Sequence, residues 1–433
     1  MKVYPFGKIY FVSLFFILCT LHCAIGQNVV NNGGKIIVRE GANLVIGGNY
    51  INKNDGTTDG TVNLDGNIIV KRNWVNVANN EVLVSTGTGF VGNVILDGFI
   101  NQYIEGTNPT LFENLIIQNS KKILNVTNCK VNDTLSVNAI LDLNTHRIKI
   151  LNPNPIGINY VSAYIFSETN TNEGLGEVEW QIGSNLNSYT VPFGSGNSNS
   201  DDLAVTLETK TTATPTNGSI RFATYPTGCQ NNPVPPDVAQ LDRGYEYVAD
   251  RFWNIDPIYD TKPEVNIQLH YLQQDVNPSC NNGLHEADMK AIRYNTLQQT
   301  WDDLKPLGTS YPTEQVFKID NVAPNDFYAP WCLVGEVVDW EIFFPNAFTP
   351  NADGHNETFA PIGYNLEKLN FTMYIYNRWG ELIYVMDDIS KPWNGSFGES
   401  GKICPQGVYT WIVFLKDGNG MQHEYNGIVT LIQ

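Results

Sequence analysis

Between Asn28 and about Pro155 the apolar residues come in short runs, each ended by Gly, Asn or Asp. Such runs are too short to carry the apolar stripe of a helix, which returns about every 3.6 residues, so this stretch is committed to short strands and tight turns. The runs also repeat. Gly60-Thr61-Val62-Asn63-Leu64-Asp65-Gly66 returns as Gly92-Asn93-Val94-Ile95-Leu96-Asp97-Gly98, an offset of 32. Asn49-Tyr50-Ile51-Asn52 returns as Asn73-Trp74-Val75-Asn76, an offset of 24. Leu115-Ile116-Ile117, Leu135-Ser136-Val137 and Ile148-Lys149-Ile150 continue the rhythm. This predicts a β-solenoid, β-helix-like, over residues 27–155, in which each coil buries on its neighbours the face it cannot bury alone. The unequal offsets also fit successive strands of a plain sandwich. Asp65 and Asp97 occupy equivalent places in the longer repeat, each before Gly, as a tight turn prefers; stacked on adjacent coils they would also suit a carboxylate site.

Residues 156–339 continue in the same all-β idiom. Val178 to Ile182, Leu203 to Leu207, Ser219 to Thr224 and Val265 to Leu272 read as strands between Gly, Pro and Asn breaks, which predicts a β-sandwich region. Trp253, on an alternating run, is expected in its core.

Residues 340–433 carry five ordered motifs. The first is Phe344-Pro345-Asn346-Ala347-Phe348-Thr349-Pro350-Asn351-Ala352-Asp353-Gly354. Asn377-Arg378-Trp379-Gly380-Glu381, Trp393-Asn394-Gly395, Pro405-Gln406-Gly407-Val408-Tyr409 and Gly427-Ile428-Val429-Thr430-Leu431 follow. In that order and spacing they resemble the gliding-motility-associated C-terminal domain, the type B sorting signal of the type IX secretion system. The resemblance implies export through the type IX translocon, with a dedicated outer-membrane protein as a further partner. Ala352, His355 and Glu357 depart from the family's usual residues in the first motif. Read from the residues alone, the segment is a small β-sandwich, with a hairpin turning at Asn377 to Gly380 and another turn at Asp417 to Gly420. Trp379, Trp393 and Trp411 are expected to pack in its core and turns, with sugar stacking as the other use of such rings.

The opposite terminus agrees with export. Lys2 and Lys8 flank the start, Phe11 to Cys23 is largely apolar, and Ala24-Ile25-Gly26 supplies small residues, so residues 1–26 read as a cleaved signal peptide. The expected destination is the medium or the outer cell surface, by way of the periplasm. A net charge of −18, with 26 basic against 44 acidic residues, excludes nucleic acid as a partner, because phosphate contacts need Lys and Arg. In an oxidising compartment Cys229 and Cys280, in similar Asn-rich loops, are the best-matched disulfide pair.

Chemistry is sparse. The histidines lack a Ser, Cys or acid partner at motif spacing, and no phosphate-binding Gly loop opens a helix, so neither catalytic nor cofactor-binding residues are assigned. The turn Asn351 to Glu357 is the one cation candidate, set against a plain turn closed by its own side chains. Two readings of function follow. One is a non-enzymatic, adhesin-like or matrix-binding protein with an extracellular glycan or matrix ligand. The other is a carbohydrate-active enzyme, a polysaccharide lyase or glycoside hydrolase, on the solenoid.

Overall fold

The computed structural model describes residues 26–433, apart from 80–81, 85–91, 126, 169–174, 197–200, 277–283, 304–307, 336–340, 399–400, 417–421 and scattered positions in 229–246 and 365–369. The expected signal peptide, Cys229, Cys280 and the Asp417 to Gly420 turn lie outside the described residues. What is described is all-β, and its only α-helix is Gln273–Val276.

From Val29 to Trp180 the chain passes in turn through three rows of parallel strands. One row runs through Val29–Asn32, Tyr50–Lys53, Trp74–Val77, Gln102–Gly106, Lys122–Asn125, Leu141–Asp142 and Ile165–Phe166. A second begins with Lys35–Val38 and Thr61–Leu64, a third with Asn43–Ile46, Asn67–Val70 and Asn93–Leu96. The long strands Thr110–Ile117 and Cys129–Val137 belong to both, with a register shift at the corner after Phe112. Alternation sets the faces. Val62, Leu64, Ile68, Val70, Val94 and Leu96 are wholly buried, and each contributes about 1.5–3 kcal/mol by burial. Asparagines tie successive strands of the third row: Asn67 Nδ2 donates to Asn43 Oδ1, and Asn93 Nδ2 to Asn67 Oδ1, both at 2.8 Å.

The two sequence repeats fare differently. The 24-residue offset is a true return, with Tyr50 paired to Trp74 and Asn52 to Asn76. The 32-residue offset is not. Thr61–Leu64 lies in the second row, whereas Asn93–Leu96 lies in the third, paired to Asn67–Val70. Leu-Asp-Gly marks two different corners, so Asp65 and Asp97 do not stack.

Glu177–Trp180 pairs in parallel with Arg147–Ile150 on one edge and antiparallel with Ser219–Pro226 on the other. The second row therefore runs without a break into an antiparallel sheet that continues through Val248–Ile258, Trp331–Val334, Lys290–Asn295 and Thr300–Asp303. A second antiparallel sheet holds Ser188–Val191, Val205–Thr209, Val265–His270, Val316–Val322 and Thr309–Tyr311. Trp180, Phe222, Trp253 and Trp331 from one sheet share a core with Tyr189, Leu207, Ile267 and Phe317 from the other.

The C-terminal segment has its own core. Its five-stranded sheet runs in the order Ala347–Phe348, Gln422–Leu431, Gly407–Lys416, Asn370–Tyr376, Leu382–Met386. Phe348, Phe359 and Trp393 pack with Met373, Ile375, Val413 and Val429. Where a small sandwich is expected, the other described pieces are two two-stranded antiparallel sheets, Glu341–Phe343 with Ile362–Tyr364 and Ser396–Phe397 with Lys402–Ile403.

Candidate functional site

The five C-terminal motifs divide into a packing set and an exposed set. In the packing set, Trp393 is fully buried, and its ring lies 5.1 Å from that of Phe348 and 5.0 Å from that of Tyr409. Its indole Nε1 donates to Ser396 O at 2.8 Å. Gly395 follows at φ +82, and a Cβ there would stand 2.7 Å from Leu431 Cδ1 and 3.2 Å from Pro350 Cγ. Only glycine both adopts that backbone and lets Pro350, Phe348 and Leu431 close together. Gly427 lies opposite Trp411 on the neighbouring strand, where a Cβ would meet the indole at 2.4 Å. Pro345 and Asn346 lead into the short edge strand; Thr430 N donates to Asn346 O at 2.9 Å, which docks the first motif on the last.

The turn Asn351 to Glu357 is closed by its own backbone. Glu357 accepts from the amides of Ala352 and Gly354 at 2.9 Å each, and Asp353 Oδ1 from the amide of His355 at 2.8 Å. Asn351 Oδ1 accepts the amide of Asp353, and its Nδ2 donates to Asp353 Oδ2 at 3.0 Å. Its carboxylates thus face N–H groups, the arrangement of a turn stabilised by its own side chains.

The exposed set is the hairpin tip. Asn377 Oδ1 accepts the amides of Trp379 and Glu381, and Gly380 N donates to Asn377 O at 3.0 Å. This compact turn throws Trp379 outward. Its side chain is 80% exposed, with the Arg378 guanidinium 5.1 Å from the ring centroid. Trp379 is therefore not the packing residue expected of it, whereas Trp393 and Trp411 are. The reason is local: the tip lies beyond the last strand pair, so no facing strand can cover it.

Beneath the tip a cleft of about 580 Å³ brings Asn377, Arg378, Trp379 and Glu381 against Pro405, Gly407 and Tyr409. Two motifs about thirty residues apart thus form one surface. Phe397, Lys402 and Ile403 complete the wall, and Ile403 is 69% exposed. These three belong to no motif, and a large apolar residue beside Lys in a turn-rich stretch was their only sequence signal. Arg378 and Lys402 give the cleft two cations in an acidic chain. Burial pushes the Cys404 thiol at its floor above its usual range, so it remains a neutral apolar group.

Elsewhere the fold makes a pairing that spacing did not disclose. His270 Nδ1 lies 3.0 Å from Asp202 Oδ2. Comparison with curated proteins finds no match for the chain. Residues 342–431 match the CHU_C Type IX secretion signal domain, and that C-terminal segment belongs to this family.

Proposed function

We propose that this chain is a non-enzymatic, adhesin-like or matrix-binding protein, carried out of the cell by its C-terminal domain and displayed there or released. The type IX secretion signal domain at residues 342–431 carries the export half of this reading, which places the protein at the cell surface or in the medium. Its engagement with the type IX secretion system follows from the same match. In this reading the Arg378–Trp379 tip and the cleft below it face the export machinery, with a dedicated outer-membrane protein as a further partner. An exposed aromatic ring under a guanidinium is the kind of anchor that dominates docking surfaces.

The binding half rests on the remainder of the chain, which is read as a β-solenoid running into a β-sandwich. Three rows visited in turn, with asparagines linking successive circuits, support the solenoid. The non-enzymatic reading is supported by four carboxylates of this region that are each held in an ion pair. Asp97 pairs with Lys71, Asp142 with Lys121 at 2.5 Å, Glu177 with Arg147 at 2.5 Å and Glu179 with Lys149 at 2.7 Å. General acid and base work needs carboxylates with a free face and separated pKa values.

Deleting residues 342–433 and fractionating the cells tests the export reading. The truncated chain should accumulate in the periplasm. Its appearance on the surface or in the medium at the level of the full chain would refute the assignment.

A further inference from the structure

The third row of parallel strands ends at Ile158–Tyr160, which among the described residues pairs only with Cys129–Val137. With no further strand laid against it, this last strand leaves Tyr160 42% exposed and Val161 66% exposed. Beside them opens a cleft of about 310 Å³, lined by Tyr160, Tyr164, Thr190, Asp202, Thr206 and His270 among others. Its far wall is the outer face of the second antiparallel sheet. Thr190 pairs with Thr206 and Thr206 with Gln268, so with Val191, Val205 and Leu269 turned inward these three face the cleft side, as does His270 two residues on.

The polar groups of that wall are held in place by one another. The hydroxyls of Thr190 and Thr206 lie 2.9 Å apart. His270 Nε2 stands 3.0 Å from Gln268 Nε2, an amide nitrogen that can only donate. On the other side of the ring, Nδ1 lies 3.0 Å from Asp202 Oδ2. Asp202 Oδ1 accepts the amide of Ala204 at 2.9 Å, yet the side chain is still 62% exposed. Asp201, also in the cleft, accepts the Ser195 hydroxyl. Among the described residues, no Lys or Arg lines the cleft.

An exposed aromatic face beside fixed carboxylate, imidazole and hydroxyl groups is equipment for a sugar ring, whose C–H face stacks while its hydroxyls exchange hydrogen bonds. The two aspartates disfavour acidic sugars. The volume is at the small end of ligand clefts, which span about 300–1,000 Å³, and suits one or two rings.

We propose that this cleft binds a segment of a neutral polysaccharide, with Tyr160 under one ring and Asp202, His270 and the threonine pair on its hydroxyls. The proposal rests on the matrix-binding reading above and names its ligand class.

Titration calorimetry of the full secreted chain with cellohexaose, laminarihexaose and mannohexaose tests it. At least one of the three should bind, and Tyr160→Ala and Asp202→Asn should each weaken that binding by about tenfold or more. Both side chains are exposed enough for the melting temperature to hold. Failure of all three sugars to bind, or binding untouched by both substitutions, overturns the proposal. Adhesion of cells displaying the chain to a polysaccharide-coated surface separates the two levels of inference. Adhesion that persists in Tyr160→Ala and Asp202→Asn cells removes the cleft and leaves the matrix-binding reading intact. Wild-type cells that adhere no better than cells lacking the chain remove both.

Discussion

Asn377 and Glu381 are bound to each other three times across the tip of the C-terminal hairpin. Asn377 Nδ2 donates to Glu381 Oε2 at 2.9 Å, Glu381 N to Asn377 Oδ1 at 3.0 Å, and Asn377 N to Glu381 O at 3.0 Å. Two of these bonds need the asparagine side chain, which also accepts the amide of Trp379 at 2.9 Å. Asn377→Ala should therefore destabilise the hairpin by about 1–3 kcal/mol. Hydrogen exchange reads this directly: the amides of Trp379 and Glu381 should lose protection while that of Trp411 in the central strand keeps it. Unchanged protection at the tip would mean that backbone bonds alone hold the turn.

The ring that this turn presents makes a separable prediction. Trp379 is 80% exposed, so Trp379→Ala should alter stability by no more than about 0.5 kcal/mol. If the tip engages the export machinery, the same substitution should lower the fraction of protein outside the cell several-fold and raise the periplasmic fraction to match. Paired immunoblots of the two fractions, with Phe414→Ala on the open face of the same sheet as control, check it. Equal export of wild type and Trp379→Ala would place the recognition surface elsewhere on the domain.

What was legible in the sequence follows from which forces are local. The C-terminal strands were readable because alternation and turn chemistry act over a few residues: Asn370–Tyr376, Leu382–Met386 and Gly407–Lys416 fall where the pattern puts them. The 24-residue repeat was readable because stacking places Trp74 on Tyr50, their ring centroids 4.2 Å apart. The 32-residue repeat misled because Leu-Asp-Gly encodes a corner without saying which corner. Trp379 was misplaced because burial depends on whether another element arrives to cover a ring. Asp202 and His270 were missed for a similar reason. Their contact is made by the pairing of Val205–Thr209 with Val265–His270, which no local pattern announces.

Lys122 gives a prediction in pH. It is wholly buried, with Nζ donating to Gln118 O at 2.8 Å and Ser120 O at 2.6 Å. Burial depresses its pKa to about 8, against a smaller raising effect from Asp97. Between about pH 8 and the unfolded value near 10.4 the unfolded chain binds more protons than the folded one, so this group makes stability rise with pH. Below that window the penalty of a buried ammonium is fully present; above it the penalty is gone. Urea midpoints of wild type and Lys122→Met at pH 7.5 and pH 10.5 isolate the effect. The wild type should gain on the variant by about 3 kcal/mol between the two. Parallel pH profiles would show that Lys122 titrates alike in both states.

Arg251 joins segments that the sequence keeps far apart. Its side chain is wholly buried, donating to Glu168 through Nη1, to Thr224 Oγ1 at 3.0 Å and to Asp275 Oδ2 at 2.8 Å through Nε. Burial raises the Glu168 pKa, and the Arg251 charge offsets only part of that effect. Arg251→Met should cost about 3–5 kcal/mol at neutral pH, because two carboxylates are left buried without their cation. The loss has a definite pH signature. With the cation gone, the Glu168 pKa rises further above its unfolded value of about 4.3, so the folded form binds more protons than the unfolded one between the two values. The destabilisation should therefore be full above the folded pKa and shrink as pH falls towards about 4.3. Adding Glu168→Gln to Arg251→Met should recover part of it at pH 7, since one uncompensated charge is then absent. Thermal unfolding of wild type, Arg251→Met and the double variant at pH 5 and pH 7 decides the matter. If the single and double variants are equally destabilised at both values, Arg251 acts through packing alone and its charge does not hold the cluster together.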